Sequence, residues 1–280
     1  MKKRCITNQA IKLFENYLIE NEKAEATIQK YMRDIRCFAE YVSDRALDKA
    51  LVLKYKATLE QDYAIRSANS MLAALNAFLR FTGWYDLCVK QFKVQKEAYC
   101  SEEKELTKAE YAALVRTAEQ KKNERLSLVV QTICGTGIRV SELQCITVEA
   151  VRRGEAVVTC KGKTRKIFIV KALQKKLLRY AIEQGIATGI LFVTKSGKPL
   201  NRSNIWRQMK DLCEQAGVSP QKVFPHNLRH LFARTFYGIE KDIAKLADIL
   251  GHSNINTTRI YIITTGAEHQ RRMENMRLII

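Results

Sequence analysis

The side chains of this sequence that suit chemistry on a phosphate ester are concentrated near its C-terminal end. Residues 224–261 read FPHNLRHLFARTFYGIEKDIAKLADILGHSNINTTRIY and contain three of the four histidines. His226 and Arg229 are three positions apart, so they share one face of a helix. His252 follows the glycine that ends an apolar run, and Tyr261 closes the stretch. Imidazoles and a guanidinium grouped around one phenol favour nucleophilic attack on phosphorus.

Two further cations upstream would complete such a group. Arg139 lies in the motif GTGIRVSEL, and Lys161 lies in TCKGKTRKIFI. An unperturbed phenol ionises only at about pH 10, so an attacking tyrosine needs a proton acceptor and cationic surroundings. Arg139 and Arg229 can each offer fork-shaped donors to the non-bridging oxygens, and the loss of one such donor typically costs about a hundredfold in rate. Lys161, on a hairpin tip, would protonate the departing oxygen.

The other polar residues of these motifs receive supporting roles. His226 is the candidate proton acceptor on the tyrosine side, and His252 is the candidate hydrogen-bond donor to the phosphate. Glu142, one helical turn beyond Arg139, would hold and orient the site. His230 is assigned to structure, because it directly follows the arginine of PHNLRH and should point to another face of the helix.

Each of these residues also has a purely structural explanation. A tyrosine at helical spacing most often packs against a core, and an arginine with a glutamate one turn away is most often a surface ion pair. A histidine can cap a helix or follow a terminal glycine. These explanations do not account for six such groups in the positions that one active site needs, so a shared site is the stronger hypothesis.

The elements that must carry these groups fall into two predicted domains. In the first hundred residues, apolar side chains recur every three or four positions in ATIQKYMRDIRCFAEYV and SANSMLAALNAFLRFTGW, which predicts helices. A charged stretch without periodicity follows, and Thr107 and Glu110 then have the spacing of a capping box. The sequence therefore predicts a helical domain at residues 1–95, a linker at 96–105 and a second domain at 106–280.

The second domain is predicted to be mostly helical with one β-hairpin. Gly135 and Gly137 end a helix and let the chain turn sharply before Arg139. The runs AVVTC and RKIFIV are rich in β-branched residues, and residues 161–164 form a glycine-containing turn between them. The predicted fold class is therefore mainly α with a small β-sheet.

The overall charge indicates a polyanionic partner. The chain has 48 lysines and arginines against 29 acidic residues, which gives a net charge of +19. The candidate phosphate contacts are Lys30, Arg33, Arg36, Arg66 and Arg80 in the helical domain and Lys163, Arg165 and Lys166 on the hairpin. A solvated polar face is the competing explanation for each of these cations.

Nothing in the sequence indicates a metal, a cofactor or a membrane span. The eight cysteines include no CxxC pair and no metal-ligand spacing with histidine, which favours reduced thiols in the cytoplasm. No phosphate-binding glycine loop is present. No run approaches the length of a membrane span, and the N-terminal residues lack the apolar core of a signal peptide. We therefore expect a cytoplasmic protein that uses neither cofactor nor metal.

Taken in order, these motifs resemble the signature of the tyrosine recombinases, the phage-integrase and Xer-like family. The matching residues are Arg139 in TGIRVSEL, Lys161 in CKGKTRK, His226 and Arg229 in PHNLRH, and His252 and Tyr261 in LGHSNINTTRIY. The resemblance covers nearly the whole chain, since ATIQKYMRDI is similar to part of that family's helical, SAM-like core-binding domain. Two departures, Ile262–Ile263 after the tyrosine and Cys160 before the lysine, remove no catalytic group.

The resemblance implies a two-domain clamp around double-stranded DNA. Tyr261 would form a covalent 3′-phosphotyrosine and release a 5′-hydroxyl without ATP, and four protomers on two DNA sites would exchange strands through a four-way junction. The apolar residues of the tail, which we expect to dock on a neighbouring protomer, are Met273, Met276, Leu278, Ile279 and Ile280. The task is left open between integration, excision, inversion and dimer resolution. Two other classes also remain open: a type IB topoisomerase that relaxes supercoils as a monomer, and a non-catalytic DNA-binding relative.

Overall fold

The computed structural model of the protein describes residues 4–43, 45–94, 102–160, 163–194, 196–261 and 273–276, with only the backbone of residues 102, 160 and 163. The chain forms two compact units, Met1–Lys96 and Glu97–Ile280. Helices predominate in the described residues, and one two-stranded sheet lies in the second unit. The predicted fold class, mainly α with a small β-sheet, is confirmed.

Four amphipathic helices build the first unit. They are α1 (Asn8–Glu20), α2 (Glu25–Val42), α3 (Lys49–Asp62) and α4 (Ile65–Phe81), followed by a 3-10 turn at Tyr85–Leu87. α2 buries Met32, Ile35, Phe38 and Val42, at three- and four-residue spacing, because only this spacing gives a helix one apolar face. α4 packs on α2 and ends ahead of Gly83, whose φ of +75° favours glycine.

Two asparagines of α4 hold the extended segment that follows the helix. Asn76 is buried, and its side-chain amide donates to the carbonyl of Val89 at 2.8 Å and accepts from the N–H of the same residue at 2.9 Å. Asn69, two helical turns earlier, makes the same pair of bonds with Phe92, at 2.9 and 2.7 Å. Each amide thus replaces a neighbouring β-strand and satisfies backbone groups that the segment cannot satisfy by itself.

We expect Asn76→Ala to destabilise the first unit by about 1–3 kcal/mol, because the buried N–H and carbonyl of Val89 lose their partners. In a Trp206→Phe background, Trp84 is the sole tryptophan, so its fluorescence during a urea titration reports on the first unit. Gln29→Ala, at an exposed position of α2, is the control and should leave the urea midpoint unchanged. Equal midpoints in Asn76→Ala and this control would show that the amide does not stabilise the unit.

The second unit packs helices around α6. Its elements are α5 (Lys108–Gln120), α6 (Glu124–Thr136), α7 (Val148–Arg153), β1 (Glu155–Cys160), β2 (Lys163–Phe168), α8 (Lys171–Glu183), α9 (Arg202–Lys210), α10 (Cys213–Ala216), α11 (Pro225–Glu240), α12 (Ile243–Leu250) and α13 (Ile255–Arg259), with 3-10 segments at Glu102–Lys104, Val140–Cys145 and Pro220–Lys222. α6 buries Leu126, Val129 and Ile133 within a core to which α5, α8 and α11 contribute. The capping box predicted from Thr107 and Glu110 begins α5, with both of its hydrogen bonds present.

The described end of the predicted linker, residues 102–105, is attached to the second unit. The carbonyl of Lys104 accepts a hydrogen bond from Asn227 Nδ2 at 2.9 Å. Arg234 binds the carboxylate of Glu105 and, at 2.7 Å, the carbonyl of Leu106. Leu106 itself is fully buried. The packing of the second unit therefore includes these residues ahead of α5.

The predicted hairpin is present, and its side chains alternate between a buried and an exposed face. β1 pairs antiparallel with β2, and Val158 lies opposite Arg165. Val158 and Ile167 are buried, so the face that they share points into the core. Arg165 lies on this inner face, whereas Val157 and its partner Lys166 lie on the exposed face. Arg165 and Lys166, which are adjacent in sequence, therefore lie on opposite faces of the hairpin.

Candidate active site

Helices α11 and α12 place the first groups of the site. A proline in the first turn fixes φ and needs no N–H partner, which suits the start of α11 at Pro225. His226 and Arg229 follow in the first turns of this helix. α12 ends at Gly251, whose φ of +65° lets the chain turn, and His252 comes next. The two helices pack together and bring Arg229 Nη2 within 3.0 Å of His252 Nε2.

The segments that follow α6 and α13 supply the remaining groups of the site. Gly137, at φ +66°, ends α6, and a Cβ there would lie only 2.4 Å from the ring of Phe232, so the approach of α6 to α11 requires glycine. Arg139 then precedes the 3-10 segment. Tyr261 follows α13, and its Oη lies 3.2 Å from His226 Nε2. The predicted catalytic residues that the structure brings together are Arg139, His226, Arg229, His252 and Tyr261.

Three imidazole rings surround the phenol of Tyr261. Only 5% of this residue is exposed, and its ring centroid lies 5.4 Å from that of His226, 4.2 Å from that of His230 and 5.3 Å from that of His252. The ring also belongs to a small apolar cluster with side chains of α11 and α12. The phenol is therefore held by residues of its own chain.

The position of His230 corrects the expectation that its side chain faces away from the site. His226 and His230 are four residues apart on α11, so they share a helix face, and their ring centroids are 5.4 Å apart. The His230 ring lies over Tyr261 at an interplanar angle of 30°. Burial, and then nearby imidazole and arginine groups, lower the pKa of His230 to about 4. At neutral pH it is an uncharged ring that stacks on the phenol.

Arg229 is a buried cation, with 1% of the residue exposed. Its guanidinium donates to the carbonyl of Gly137 at 2.5 Å, to the carbonyl of Leu250 at 2.7 Å and to His252 Nε2 at 3.0 Å. Burial, and then the positive charge nearby, lower the pKa of Arg229 to about 10. This pKa is still far above 7, so Arg229 keeps its charge at neutral pH.

The two hydrogen bonds of His252 define its tautomer. Arg229 can only donate, so Nε2 accepts, and the proton is on Nδ1, which donates to Thr258 Oγ1 at 2.9 Å. Burial, and then the charge of Arg229, lower the pKa of His252 to about 4. His252 therefore accepts from Arg229 and orients it, whereas the sequence predicts a donor to the phosphate. Sequence reasoning missed the buried Thr258, because neither threonine of INTTR carries a signal that marks it as a site residue.

Glu142 binds two arginines at once. Only 6% of this residue is exposed. Its carboxylate accepts from the backbone N–H of Arg139 at 2.7 Å and from Nη1 of that side chain at 2.9 Å, and it accepts from both terminal nitrogens of Arg165 at 3.0 and 2.6 Å. Burial would raise the pKa of Glu142, but the hydrogen bonds from the two arginines outweigh it and hold the pKa below its ordinary value. Glu142 is therefore an anion that fixes Arg139.

The structure gives Arg165 a partner within the protein, whereas the sequence predicts a phosphate contact. Both of its Nη atoms bind Glu142, and its side chain is 12% exposed. The strand period is the signal that locates it, because Arg165 has the same parity as the buried Ile167. Lys166, on the outer face, is 60% exposed and lies 3.0 Å from the carboxylate of Glu155.

Several predicted residues lie outside the described part of the chain. They are Lys161, the side chain of Lys163, the departures Ile262–Ile263 and the tail residues Leu278, Ile279 and Ile280. Their assigned roles stay predictions.

Two of the predicted DNA contacts of the first unit lie beside one buried carboxylate. Lys30 lies 2.5 Å from the carboxylate of Asp34, a residue that is 5% exposed. Arg33, whose side chain is 74% exposed, lies 3.2 Å from the same carboxylate. A buried carboxylate is costly without a cation beside it, so Lys30 contributes to folding. The other predicted contacts, all at exposed positions, are Arg36, Arg66 and Arg80.

The described residues contain no group of three or more His, Cys, Asp and Glu side chains placed to hold a metal ion. Among these same residues, no helix combines the length and the apolar character that crossing a bilayer demands. The cysteines described, Cys5, Cys37, Cys88, Cys134, Cys145 and Cys213, are free thiols.

Two family models match the chain. The model of the phage integrase family matches residues 104–267, and the model of the phage integrase N-terminal SAM-like domain matches residues 11–84. Because these matches span most of the sequence, the protein belongs to the phage integrase family, the tyrosine recombinases. The family inferred from the six motif residues is thereby confirmed.

Curated relatives match the chain over nearly its whole length. The tyrosine recombinase XerA of Thermococcus kodakarensis is 31% identical over 282 residues, which cover 97% of this chain and 96% of the relative. The tyrosine recombinase XerA of Pyrococcus furiosus is 29% identical over 290 residues, which cover 100% of this chain and 98% of the relative.

Solved structures show the same fold. The crystal structure of a lambda integrase dimer bound to a COC′ core site has a TM-score of 0.74 at 18% identity and covers 91% of this chain and 95% of that one. The XerH site-specific recombinase bound to difH substrate, in a pre-cleavage complex, has a TM-score of 0.70 at 20% identity and covers 95% of this chain and 84% of that one.

We expect the second unit to lose stability as the pH falls from about 6.5 to about 4. His230 and His252 have an ordinary pKa of 6.5 and a folded pKa of about 4, so in this window the unfolded chain binds protons that the folded chain does not. Their contribution to stability is fully present above pH 6.5 and falls below it. His230→Phe keeps an aromatic ring but removes one titrating group, so the unfolding free energy should depend less steeply on pH.

Urea titrations at a series of pH values, followed by Trp206 fluorescence in a Trp84→Phe background, measure this dependence. Carboxylates that also titrate in this range are common to both proteins, so only the difference in slope reports on the imidazole. Since His252 remains, a part of the slope should persist in His230→Phe. Identical slopes would contradict the lowered pKa of His230.

Proposed function

We propose that this protein is a site-specific DNA recombinase that cuts and rejoins duplex DNA through a covalent 3′-phosphotyrosine. The observation that carries this proposal is the 3.2 Å contact between Tyr261 Oη and His226 Nε2, beside the buried Arg229. Burial, and then the charges of Arg229 and Arg139, lower the pKa of His226. The imidazole is therefore neutral at pH 7, and its Nε2 can accept the phenol proton.

In the cleavage step, Tyr261 Oη forms a bond to phosphorus while the bond from phosphorus to the 5′-oxygen breaks. The phenol proton passes to His226. Arg139 and Arg229 donate to the non-bridging oxygens, where negative charge builds in the transition state. Arg229 uses three of its five N–H donors within the protein, and these bonds fix the orientation of its guanidinium. The remaining donors are left for the phosphate.

Lys161 supplies the proton that the departing 5′-oxygen needs. The 5′-hydroxyl of a second duplex then attacks the phosphotyrosine and gives its proton to the neutral amine of Lys161, and Tyr261 leaves and recovers its proton from His226. Each new phosphodiester replaces one that was broken, so the exchange balances without ATP. No cofactor or metal takes part in this balance.

A complete exchange needs two such reactions on each duplex, passing through a four-way junction. We infer that four protomers on two DNA sites carry it out, each with its own tyrosine and arginines. Structures with this fold support the assembly, since they include a lambda integrase tetramer bound to a Holliday junction. Because the enzyme acts on DNA, we infer that it works in the cytoplasm.

Cations close to the site and on the helical unit are candidates for contacts with DNA. Arg202 begins α9, and its charge contributes to the lowered pKa of His226, so it lies close to the site. Sequence reasoning missed Arg202, because nothing in the chain order relates it to α11. On the helical unit, the exposed cations that we assign to phosphate contacts are Arg36, Arg66 and Arg80. With the net charge of +19, these cations fit two units that clamp one duplex.

We expect the wild-type protein to form an adduct with DNA that survives denaturing electrophoresis. The substrate is a nicked duplex from the flanks of its gene, in which the short 5′-hydroxyl fragment diffuses away after cleavage and cannot reverse the reaction. Tyr261→Phe should bind this DNA equally well in a mobility shift but form no adduct, because phenylalanine has no nucleophilic oxygen. Tyr85→Phe, at a position that is 68% exposed, should form the adduct at the wild-type rate.

Binding by the wild type without any adduct would reject the covalent mechanism and favour a DNA-binding relative without catalysis. An adduct in Tyr261→Phe would assign the nucleophile to another residue. Relaxation of a supercoiled plasmid that lacks the site, by a monomer, would favour the topoisomerase. In each case DNA affinity should decrease steeply with salt, since phosphate contacts release counterions.

The described part of the tail exposes two methionines, Met273 at 58% and Met276 at 59%. We infer that the tail docks on a neighbouring protomer, where these side chains would be covered. Deletion of residues 273–280 should leave the binding of one DNA site intact but abolish the four-protomer complex on two sites. Gel filtration with light scattering measures this difference, and an unchanged complex mass would contradict the docking.

A further inference from the structure

Arg165 contacts two parts of the site that are distant from it in sequence. From β2, its guanidinium binds Glu142, which in turn binds Arg139. Its aliphatic part packs on the turn after α12, because a Cβ at Gly251 would lie 2.7 Å from Arg165 Cδ. Gly251 directly precedes His252. The side chain thus connects the hairpin with the arginine and the histidine segments of the site.

We propose that Arg165 is a positioning residue of the active site: through Glu142 it fixes the guanidinium of Arg139, and through its packing on Gly251 it fixes the turn that carries His252. It acts on the reaction through these residues and does not touch the reacting atoms. The inference rests on the proposed function, because it takes Arg139 to bind the scissile phosphate.

The contact with Glu142 requires the fork of a guanidinium. The two terminal nitrogens of Arg165 lie 3.0 and 2.6 Å from the two carboxylate oxygens, a bidentate pair that the single ammonium of lysine cannot reproduce. Both side chains are nearly enclosed, at 12% and 7% exposed. Water therefore cannot easily replace the guanidinium if it is removed.

Arg165 also determines which hydrogen-bond donors of Arg139 remain free to bind the phosphate. Arg139 uses its backbone N–H and Nη1 on Glu142, and no hydrogen bond to a described residue uses its Nη2 or Nε. Its side chain is 37% exposed, so these donors can reach a ligand. Without Arg165, the buried carboxylate of Glu142 would keep one cation only. Arg139 would then be drawn toward the carboxylate and away from the phosphate.

The second contact of Arg165 is its packing on Gly251, which requires glycine at this position. This glycine has φ +65°, and the space that a Cβ would need is filled by Arg165 Cδ, Nε and Nη1. The turn between α12 and His252 therefore lies directly against the arginine side chain. A shorter side chain at position 165 would leave a gap beneath the turn, and His252, which orients Arg229, would lose that support.

The test compares Arg165→Lys and Arg165→Gln with the wild type in single-turnover cleavage of the nicked duplex. We expect adduct formation to slow by roughly a hundredfold in both variants, the size of effect that a small misplacement of a catalytic group produces, with DNA affinity unchanged. Arg179→Lys and Arg179→Gln are the matched controls, because Arg179 lies on α8 with 65% of its side chain exposed. They should cleave at the wild-type rate.

A second substrate separates positioning from general damage to the fold. A methylphosphonate at the scissile position lacks the negative charge that Arg139 is assigned to bind. If Arg165 acts through Arg139, the difference in rate between the wild type and Arg165→Gln should become much smaller on this substrate. A purely structural defect would slow the cleavage of both substrates by the same factor.

Equal rates in the Arg165 and Arg179 variants on the phosphodiester would overturn the inference, and so would an undiminished difference on the methylphosphonate. If Arg165→Gln melts below the assay temperature, Arg165→Lys decides, because it keeps a cation beside Glu142 but lacks the fork. Absence of any adduct in the wild type would instead overturn the proposed function, and the inference with it.

Discussion

The site depends on the burial of one guanidinium, that of Arg229. A buried charge is expensive unless hydrogen bonds within the protein replace those that it made with water. Here the carbonyl partners belong to Gly137 and Leu250, at the C-terminal ends of α6 and α12, where helices have unpaired carbonyls and partial negative charge. Arg229, on α11, therefore joins the C-terminal ends of α6 and α12 to α11. Glycines in the left-handed conformation, Gly137 and Gly251, end both helices and make this convergence possible.

Burial and the crowding of positive charge together set the protonation of the imidazoles. Arg139 and Arg229 lie close together, and the buried carboxylate of Glu142 offsets part of their charge. Burial and these cations lower the pKa values of His226 and His252. Burial, helped by these arginines, thus keeps the imidazoles neutral. His252 can therefore accept from Arg229, and His226 is able to accept from the phenol of Tyr261.

Local patterns in the sequence predict the helices and the groups at their ends, but they do not predict pairs between distant elements. Apolar spacing and glycines were sufficient for α2, α6 and the position of Arg139. The same local rules account for His230, which lies beside His226 by its four-residue spacing, and for Arg165, which the strand period directs inward. The contacts of Thr258 and Arg202 depend on long-range packing, for which one sequence holds no signal.

The exposure of the assembled groups limits how a phosphate can reach the phenol. Arg229 and Tyr261 are at most 5% exposed, whereas His226 is exposed and the side chain of Arg139 is 37% exposed. For the proposed cleavage, we infer that a phosphate enters on the side of Arg139 and contacts Arg229 at the buried side of the site. In-line attack requires the leaving oxygen to lie opposite Tyr261 Oη. The groups around Tyr261 have other roles in the proposed mechanism, so we infer that the proton donor for that oxygen comes from another segment. Lys161, in the connection between β1 and β2, is the candidate in the sequence.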